Sequence, residues 1–593
     1  MPDNESKLRT QSLLSGAMLL MITTALVHVI NIFFKIPITN IIGEVGRGYF
    51  TSAYEIYTPI YAISMAGLPA SLSKMVSERM ALGQYREVKK VRDVAKIIFI
   101  TAGILGTLLI CALAYPFSHY IIGSPNTFYS ILCIGPSIFF CCLMSTYRGY
   151  YAGMRNMAPT GFSQLIECIG KLIFGTVLAK LVMVYANNQF AAGAKVFGTV
   201  CTTKAEVVRA AAPISAAAAI SGVTLGTIVA LIFLFFLYHT KGTGITHEMY
   251  EGSPEPDTAK SLRKKLISLV IPIATGSLVL NITNLIDTST VQSRLKYAVS
   301  IGESTIRDMY PAINSLGIAT EDIKDFLYGC YGIGLDFRNL VPSIIMTLGV
   351  SAIPVLSGAY AVKDKEKIQE AVNTVVKTAA VLAVPAGLVM AALAKPALRI
   401  LYPSSQSIDI SAPFIVIYGI AALLLAISTP INSMLQAIGR PDIPVKTLLV
   451  SAVVKIFLNY VLVGNPIVNV MGAPLGTVAF YLINVVNNLI WLLRLTEVKL
   501  NFKTTIIKPC LAGIVAGAFA VLSNYVILYK VFNCAEKLTV TASLASCIIS
   551  IIISIVIWII SLGIFKVLSK NGVLSLPKGE KIAKVLAKMK VLE

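Results

Sequence analysis

Charged side chains are scarce in this sequence. Only 13% of its 593 residues are Asp, Glu, Lys or Arg, whereas a soluble globular domain carries about 25%. Hydrophobic residues make up 56% of the chain, and the mean hydropathy is +0.77. This balance excludes an ordinary soluble domain and predicts a chain that lies largely within a lipid bilayer.

Histidine and paired cysteine are also scarce. The four histidines are scattered, and the ten cysteines form no C-x-x-C pair. Several cysteines stand in apolar segments, where such a side chain behaves as a small hydrophobe: Cys133, Cys141, Cys142 and Cys168. The sequence therefore predicts no metal centre.

Motifs of ATP-driven and hydrolytic proteins are missing. The chain has no G-x-x-x-x-G-K-[ST] loop, no G-x-S-x-G elbow and no H-E-x-x-H helix. We therefore predict a protein that is not an enzyme and holds no cofactor. An Na⁺ or H⁺ gradient, or the membrane potential at ~2.3 kcal/mol per charge per 100 mV, would supply any energy that it needs.

Apolar runs of membrane-spanning length recur along the whole chain. A helix needs about 20 apolar residues to cross the bilayer, and the sequence predicts about fourteen such helices. A cytoplasmic N-terminus and C-terminus would place roughly 32 Lys and Arg inside and roughly 15 outside. The predicted spans are 13–37, 49–73, 95–115, 127–150, 160–186, 210–238, 264–288, 338–360, 373–395, 411–435, 445–463, 472–493, 505–529 and 540–568.

The net charge of +21 follows mainly from this orientation, because Lys and Arg accumulate in cytoplasmic loops. The basic residues are dispersed among the spans, which argues against a nucleic-acid partner. An anionic substrate remains compatible with the charge. The tail 571–593 is predicted to be a basic amphipathic helix that lies on anionic lipids.

One pattern occurs twice. Gly153-Met-Arg155-Asn-Met-Ala-Pro159 precedes an apolar helix that carries Lys171, and Gly439-Arg440-Pro441-Asp-Ile-Pro444 precedes one that carries Lys455. The offset is roughly 284–285 residues, and an even number of predicted spans separates the copies. We therefore predict a duplicated transporter whose two halves insert in the same sense.

The duplication predicts an all-α polytopic membrane protein. Residues 1–240 and 241–500 would form two six-helix lobes related by an axis along the membrane normal, and 501–570 would add two helices. The segment 289–335 would be an outer loop with short amphipathic helices on the surface.

Ionisable residues inside the spans are candidates for function, because each costs at least ~2.5–3.5 kcal/mol on insertion. Glu167 and Lys171 lie four apart on one helix face. They form either an ion pair that offsets its own insertion cost or a cavity wall whose ammonium meets a phosphate. Lys35 either lines the same cavity, within reach of Glu55, or extends to the interface. Arg47 is predicted to be a gate or surface residue in a short outer loop.

A second group of polar residues is predicted on helices 7 and 11. Asn284 and Asp287 lie on helix 7, and Lys455 and Asn459 lie one turn apart on helix 11. Oxygen atoms of Asp287 and Asn459 could bind Na⁺. The ammonium of Lys455 would occupy or compete for the cation position, and a structural Asp287–Lys455 ion pair is compatible with this hypothesis.

Several segments resemble the bacterial polysaccharide-biosynthesis flippases. They are Lys35-Ile-Pro-Ile-Thr-Asn-Ile-Ile-Gly43, Tyr54-Glu-Ile-Tyr-Thr-Pro59, Ala66-Gly-Leu-Pro-Ala-Ser-Leu-Ser-Lys74, Tyr147-Arg-Gly-Tyr-Tyr-Ala-Gly-Met-Arg-Asn-Met-Ala-Pro159 and Leu435-Gln-Ala-Ile-Gly-Arg-Pro441. The chain is most similar to the stage V sporulation protein B branch. That branch is related to the lipid II flippases, within the multidrug/oligosaccharidyl-lipid/polysaccharide exporter superfamily.

The resemblance implies alternating access in a bacterial plasma membrane. It implies an undecaprenyl-pyrophosphate-linked glycan as substrate, with its lipid tail in a groove by helices 13 and 14, and cell-wall synthesis enzymes as further partners. Substrate-binding residues would be Lys35, Arg47, Glu55, Glu167 and Lys171. A family sodium site implies Asp287 and Asn459, although Lys455 departs from its pattern. A cation-coupled multidrug exporter and a membrane glycosyltransferase, with acids such as Asp308, Asp322 and Asp325, are the alternatives.

Overall fold

The protein is an all-α polytopic membrane protein. Its computed structural model describes residues 13–241, 244–343, 345, 356–360, 362–403, 405, 407–534 and 538–567. Within those residues the regular structure is helical, apart from one isolated bridge between Val196 and Thr199. The predicted tail 571–593 and part of the predicted span 338–360 lie outside the described residues.

In this part of the chain, nine helices are long and apolar enough to cross a membrane. The predicted count of about fourteen spans stays a prediction. The nine helices are Tyr85–Ile121, Thr127–Gly153, Lys204–Thr240, Lys365–Ala392, Ile408–Ala437, Asp442–Val463, Asn469–Thr496, Lys503–Val531 and Val540–Ile564.

The chain forms two compact units. Unit 1 comprises residues 1–296 and 313–329, and unit 2 comprises 297–312 and 330–593. Unit 1 contains α1 (Leu13–Ala62), α2 (Leu68–Ala81), α3 (Tyr85–Pro116), α4 (Thr127–Ile134), α5 (Ser137–Gly153), α6 (Ala158–Ala191), α7 (Lys204–Lys241), α8 (His247–Glu251) and most of α9 (Ala259–Met309).

Helix α1 reverses direction at Gly43. This residue has φ +70° and ψ 179°, a conformation that glycine adopts without the penalty of a side chain. Phe34 and Phe50 lie on either side of it, and their ring centroids are 6.1 Å apart. Sixteen residues of straight helix would span about 24 Å, so the two halves of α1 pack side by side as a hairpin.

Helices α6 and α7 approach each other through glycines. A Cβ on Gly170 would lie 2.8 Å from Cα of Gly226, and one on Gly175 would lie 2.8 Å from the carbonyl oxygen of Ala219. Small residues let helix backbones come close inside a membrane, where van der Waals packing drives association. The close contact fixes the position of the charged residues that α6 carries.

The predicted outer loop 289–335 is wrong in one respect, because much of it is buried helix. Helix α9 continues to Met309, and after α10 (Pro311–Ser315) a second long helix, α11, runs over Ile323–Arg338. In unit 1, Gly329 of α11 lies so close to the carbonyl oxygen of Glu44 that any Cβ would overlap it. The apolar residues of α11 therefore pack into the core and do not lie on the surface.

Unit 2 is built mainly from long apolar helices. Leu356, Val372, Ile431 and Leu492 belong to its largest described core cluster. Its helices are α12 (Lys365–Ala392), α13 (Ala394–Leu401), α14 (Ile408–Ala437), α15 (Asp442–Val463), α16 (Gly472–Thr496), α17 (Lys508–Tyr525) and α18 (Val540–Ile564).

The two copies of the repeated pattern form the same turn. In unit 1 the N–H of Asn156 donates to the carbonyl of Tyr151, and in unit 2 the N–H of Arg440 donates to that of Leu435, both at 2.9 Å. Each turn places one residue at positive φ, Arg155 at 56° and Gly439 at 81°. These are matching Schellman caps. The structural register is therefore 284, which pairs Arg155 with Gly439 and corrects the sequence pairing of Arg155 with Arg440.

Candidate functional site

The interior of unit 1 contains a buried ionic cluster of three side chains. The Nη2 atom of Arg148 lies 3.0 Å from Oε2 of Glu167, and Nζ of Lys171 lies 2.8 Å from Oε1 of the same carboxylate. All three side chains are less than 9% exposed, at 2%, 3% and 8%. Two cations share one anion, so the cluster carries one excess positive charge. Pairing of this kind is what makes buried charge tolerable.

The cluster is positioned by three helices. Arg148 comes from α5, and its Nε donates to Ser163 Oγ of α6 at 2.9 Å. Tyr61 of α1 donates to Glu167 Oε1 at 3.4 Å, and the ammonium of Lys171 lies 5.7 Å from the centre of the Tyr61 ring. These contacts hold the cations in place, and the aromatic face stabilises the ammonium as a cation–π partner.

Tyrosine side chains continue from this cluster along the second half of α1. Ring centroids of Tyr54 and Tyr57 are 5.8 Å apart, and those of Tyr57 and Tyr61 are 5.0 Å apart. Lys35, from the first half of α1, places its Nζ 5.6 Å from the centre of the Tyr54 ring. The Gly43 hairpin thus places Lys35 at one end of a tyrosine ladder whose other end is Tyr61. The predicted residue Glu55 lies half-buried on the same helical half.

Of the two readings of Glu167 and Lys171, the ion pair is present in the structure. A role in binding substrate stays a prediction. Sequence analysis missed Arg148 as a third member, because it lies near the predicted end of a span, where a cation needs no special explanation. The available signal was a single arginine in an otherwise uncharged run from Thr127 to Gly153.

A second buried polar cluster lies where α11 begins. The Nζ atom of Lys324 lies 2.9 Å from Asp325 Oδ1 and donates to the carbonyl of Ile122 at 3.1 Å. It also donates to Oε1 of Gln292 at 3.4 Å, whose amide in turn donates to Ser52 Oγ at 2.8 Å. Sequence analysis missed this cluster because it treated the segment as a surface loop.

Arg47 and Asp322 lie in unit 1 as well. Arg47 is only 1% exposed, so the expectation of a loop or surface position is wrong. It follows the Gly43 reversal directly, and its guanidinium lies 5.6 Å from the centre of the Phe50 ring. Asp322 forms a 3.6 Å ion pair with Arg209. Burial and the nearby Asp325 carboxylate raise the pKa of Asp322 to about 6.

The predicted polar stripe of helix 7 lies on α9, in the part that belongs to unit 1. Asp287 and Thr288 are buried, and Asn284 is half-buried. The hydroxyl of Tyr328 in α11 donates to Thr288 Oγ1 at 3.2 Å. Thr288 therefore faces protein, as a polar residue in an apolar span must. The coupling roles of Asn284 and Asp287 stay predictions.

Unit 2 has a polar seam between α15 and α16. Asn484 donates to Ser451 Oγ at 2.9 Å, Asn487 donates to Thr447 Oγ1 at 3.3 Å, and Nζ of Lys455 lies 5.7 Å from the centre of the Phe480 ring. The α15 side of the seam consists of buried residues four apart: Thr447, Ser451, Lys455 and Asn459. The seam therefore combines hydroxyls, amides and one ammonium.

Unit 2 also contains an apolar groove of about 520 Å³ between α12 and α18. Its lining includes Leu382, Pro385, Ile551 and Ile555. The lining comes from predicted helices 8, 9 and 14. The groove by helices 13 and 14 that the resemblance implies stays a prediction.

Comparisons with known proteins agree with this architecture. Residues 13–360 match the model of the polysaccharide biosynthesis protein family, and residues 329–461 match the MatE model. The chain is 22% identical to the lipid II flippase MurJ of Bacillus subtilis over 86% of this chain and 89% of that protein. It is 21% identical to stage V sporulation protein B of the same organism, over 79% and 81%.

A solved structure shows the same fold. The chain superposes on the lipid II flippase MurJ in an inward closed conformation with a TM-score of 0.60, at 15% identity. The superposition covers 92% of this chain and 98% of that one. The expected flippase-type architecture is therefore confirmed at the level of the fold.

Proposed function

The chain belongs to the polysaccharide biosynthesis protein family, and from that premise we propose that it carries a polyprenyl-pyrophosphate-linked glycan precursor, lipid II or a related envelope intermediate, from the inner to the outer leaflet. Two similar proteins bear the names lipid II flippase and stage V sporulation protein B. The observation that carries the proposal is the buried cluster of Arg148, Glu167 and Lys171, with its excess positive charge.

This cluster suits a pyrophosphate group. A guanidinium presents a planar fork of donors that matches phosphate oxygens, and an ammonium adds a compact charge. Glu167 holds both cations in the absence of substrate and limits the cost of burying them. An arriving pyrophosphate would compete with Glu167 for the donors of Lys171, while Lys35 at the other end of the tyrosine ladder supplies a third cation.

The groove of unit 2 suits a polyprenyl chain by its own chemistry. Its wall is almost entirely aliphatic, which fits an isoprenoid and offers little to a soluble ligand. The two polar exceptions, Ser554 Oγ and Trp558 Nε1, have no hydrogen-bond partner among the described residues. Both atoms are buried, so the surface that the groove offers to the polyprenyl chain is apolar.

Two observations count against the alternative functions, a membrane glycosyltransferase and a cation-coupled multidrug exporter. Two of the three acids proposed for a glycosyltransferase form ion pairs, Asp322 with Arg209 and Asp325 with Lys324. A cavity for cationic drugs would favour an excess of acid, whereas the buried cluster of unit 1 has an excess of base. Both observations favour transport of an anionic lipid without a covalent step.

Sodium coupling fits the polar seam of unit 2 poorly. Sodium takes oxygen ligands, as hard cations do, and Asn459 offers a carbonyl oxygen. Lys455, one turn away, already contributes a positive charge on the same helix. We therefore propose that the Lys455 ammonium takes the cation position in this seam.

Translocation of fluorescent lipid II in proteoliposomes tests the proposal. The wild-type chain should deliver the lipid to the opposite leaflet chemically unchanged. Lys35→Gln and Lys171→Gln should each slow it about tenfold, because a hydrogen bond to a charged group contributes about 1.5–3 kcal/mol. Lys180→Gln is the matched control, since this lysine is exposed on the same helix as Lys171.

Three results would contradict the proposal. Export of a cationic dye without lipid II transport would favour the multidrug exporter, and release of free sugar product would favour the glycosyltransferase. Wild-type rates in both Lys35→Gln and Lys171→Gln would remove the cationic residues from the substrate site.

The polar seam of unit 2 has its own test. A Lys455→Gln variant with unchanged transport rate and ion dependence would refute the role of the Lys455 ammonium.

A further inference from the structure

Unit 1 has a cavity, separate from the ionic cluster, on the outer surface of its helix bundle. It has a volume of about 640 Å³ and lies between α3, α5 and α7. Its wall changes character along its length, because cationic and aromatic residues give way to aliphatic ones. Its lining includes Arg92, Lys96, Leu143, Ile232, Tyr238 and His239.

The polar end of this cavity is cationic. Lys96 is exposed, and the guanidinium carbon of Arg92 lies 4.9 Å from the centre of the Tyr238 ring. Arg92 also pairs through Nε with the carboxylate of Asp93 at 3.0 Å. His239 uses Nδ1 for a 2.8 Å hydrogen bond to the carbonyl of Phe235, so its Nε2 atom faces away from the helix backbone. Arg92, Lys96 and Asp93 together carry a net positive charge, which favours an anionic ligand.

The other end of the cavity is apolar and open to the outside of the bundle. Ile232 is 47% exposed, Phe235 46% and Phe236 61%. On α3 the apolar surface continues from the cavity through Ile97, Ile104, Leu105 and Leu108, each at least 46% exposed. In a chain of this class, exposed aliphatic surface along a spanning helix is lipid-facing.

The cavity lies where two spanning helices pass from charged to apolar sequence. Helix α3 carries its charges up to Lys96 and has none from Ile97 to Tyr115, while α7 has none from Ala210 to Tyr238 and reaches His239 near its end. Arg, Lys and aromatic side chains favour this boundary between head groups and hydrocarbon. The cations therefore lie at head-group depth, and the aliphatic wall lies at acyl-chain depth.

We propose that this cavity is a binding site for an anionic glycerophospholipid. The phosphate would meet Lys96 and Arg92, a hydroxyl of the glycerol head would donate to Nε2 of His239, and one acyl chain would run along Leu143, Leu231 and Ile232. A free phosphate ion would use only the cationic end and leave the aliphatic wall exposed. A zwitterionic lipid would bring its own cation against Lys96 and Arg92. The site is separate from the proposed substrate cluster, so it does not depend on the proposed function.

The test measures lipid binding to the purified full-length chain in detergent micelles by native mass spectrometry. Phosphatidylglycerol should bind more tightly than phosphatidylcholine of the same acyl composition. Each of Lys96→Gln and Arg92→Gln should weaken phosphatidylglycerol binding about fivefold, since one cation near an anionic lipid contributes about 1 kcal/mol. Lys74→Gln is the matched control, because Lys74 is an exposed lysine of the neighbouring helix α2 outside the cavity.

Further arms separate the outcomes. Millimolar inorganic phosphate should not displace phosphatidylglycerol, and displacement would show a small-anion site instead. Equal binding of both lipids, or equal weakening by Lys74→Gln and Lys96→Gln, would overturn the proposal. Thermal unfolding without added lipid checks that the variants are folded. If Arg92→Gln proves unstable, Lys96→Gln alone tests the proposal, because Lys96 is exposed and its substitution leaves the packing intact.

Discussion

Lys171 in unit 1 and Lys455 in unit 2 occupy equivalent places and have different surroundings. Each lies on the helix that follows a Schellman-capped turn, 16 residues beyond the positive-φ position at Arg155 or Gly439. Lys171 shares a carboxylate with Arg148, whereas Lys455 lies beside Asn459 and an aromatic ring. The duplication kept the lysine and its helix, and each unit gave the charge a different environment.

The helix that follows each lysine-bearing helix, α7 in unit 1 and α16 in unit 2, also has an equivalent position with different surroundings. In unit 1 a Cβ on Gly226 would lie 2.6 Å from the carbonyl oxygen of Glu167 and 2.7 Å from the backbone nitrogen of Lys171. In unit 2 a Cβ on Gly476 would lie 2.6 Å from the side-chain Oδ1 of Asn459. Each lysine thus has a glycine of the following helix against it. In unit 1 the glycine contacts backbone, and in unit 2 it contacts the end of a side chain.

The largest expected effect comes from removing the carboxylate of the unit 1 cluster. Glu167→Gln takes away the anion that pairs with both Arg148 and Lys171. Loss of one partner of a buried pair costs about 3–5 kcal/mol, so thermal unfolding in detergent should shift to a much lower temperature. Asn459→Ala, the corresponding change beside Lys455, removes a neutral group and should cost about 1–3 kcal/mol.

A double variant sharpens this prediction. Glu167→Gln combined with Lys171→Met removes one cation along with the anion and should recover part of the lost stability. Equal destabilisation by Glu167→Gln and Asn459→Ala would mean that the two lysines have equivalent surroundings after all, and the comparison would fail.

The fold was predictable from composition and periodicity. Runs of apolar residues predicted the helical membrane architecture, and the spacing of Lys171 and Lys455 predicted the duplication. The register was wrong by one residue at the turn, because the two arginines, 155 and 440, are identical in sequence, whereas the positive φ falls on Arg155 in one turn and on Gly439, one residue before Arg440, in the other. Backbone conformation, not residue identity, sets the equivalence of Arg155 and Gly439.

The candidate site was less predictable. The i, i+4 spacing predicted the Glu167–Lys171 pair, but Arg148 comes from another helix and no spacing rule reaches it. The cluster around Lys324 was missed for a related reason. Its segment is polar enough to read as a loop, and its burial depends on the contact between Gly329 and Glu44, which a single sequence does not reveal.

The second prediction concerns the glycines. Gly226→Ala forces a methyl group against the α6 backbone, which cannot move aside, so overpacking should cost about 2–3 kcal/mol. Gly476→Ala meets a side-chain amide that can rotate and should cost about 1 kcal/mol. Paired thermal unfolding curves measure both. A larger loss in Gly476→Ala would show that unit 2 has the more rigid contact.

The third prediction is a difference in pH dependence between an acid of each unit outside the spans. Burial and Asp325 raise the pKa of Asp322 in unit 1 to about 6, so the folded state holds this proton more tightly than the unfolded chain. Its contribution to stability is present at low pH and is lost as the pH rises from about 4 to about 6. In unit 2, hydrogen bonds from the backbone and side chain of Lys367 lower the pKa of Asp364. Its contribution is present at neutral pH and is lost as the pH falls.

Unfolding curves between pH 4 and pH 7 test this difference in sign. Asp322→Asn should gain about 1–2 kcal/mol relative to wild type as the pH rises, after allowance for the partial exposure of this carboxylate. Asp364→Asn should be less stable than wild type by a constant amount across this range, and the difference should disappear only in curves extended below pH 4. Parallel curves for Asp322→Asn and wild type would mean that burial of Asp322 has no energetic consequence.

The smallest expected effect lies in the two turns where the repeat begins. Gly439 is exposed, and a Cβ there would meet nothing within 4 Å, so Gly439→Ala should report only the cost of a left-handed conformation, about 1 kcal/mol. Arg155 has the same conformation with a side chain, is exposed, and should gain a similar amount in Arg155→Gly. Opposite shifts of similar size in thermal unfolding would confirm that the two turns are equivalent at a register of 284. If Arg155→Gly were instead destabilising, the Arg155 side chain would have a stabilising contact of its own, and the two turns would differ as the two lysines do.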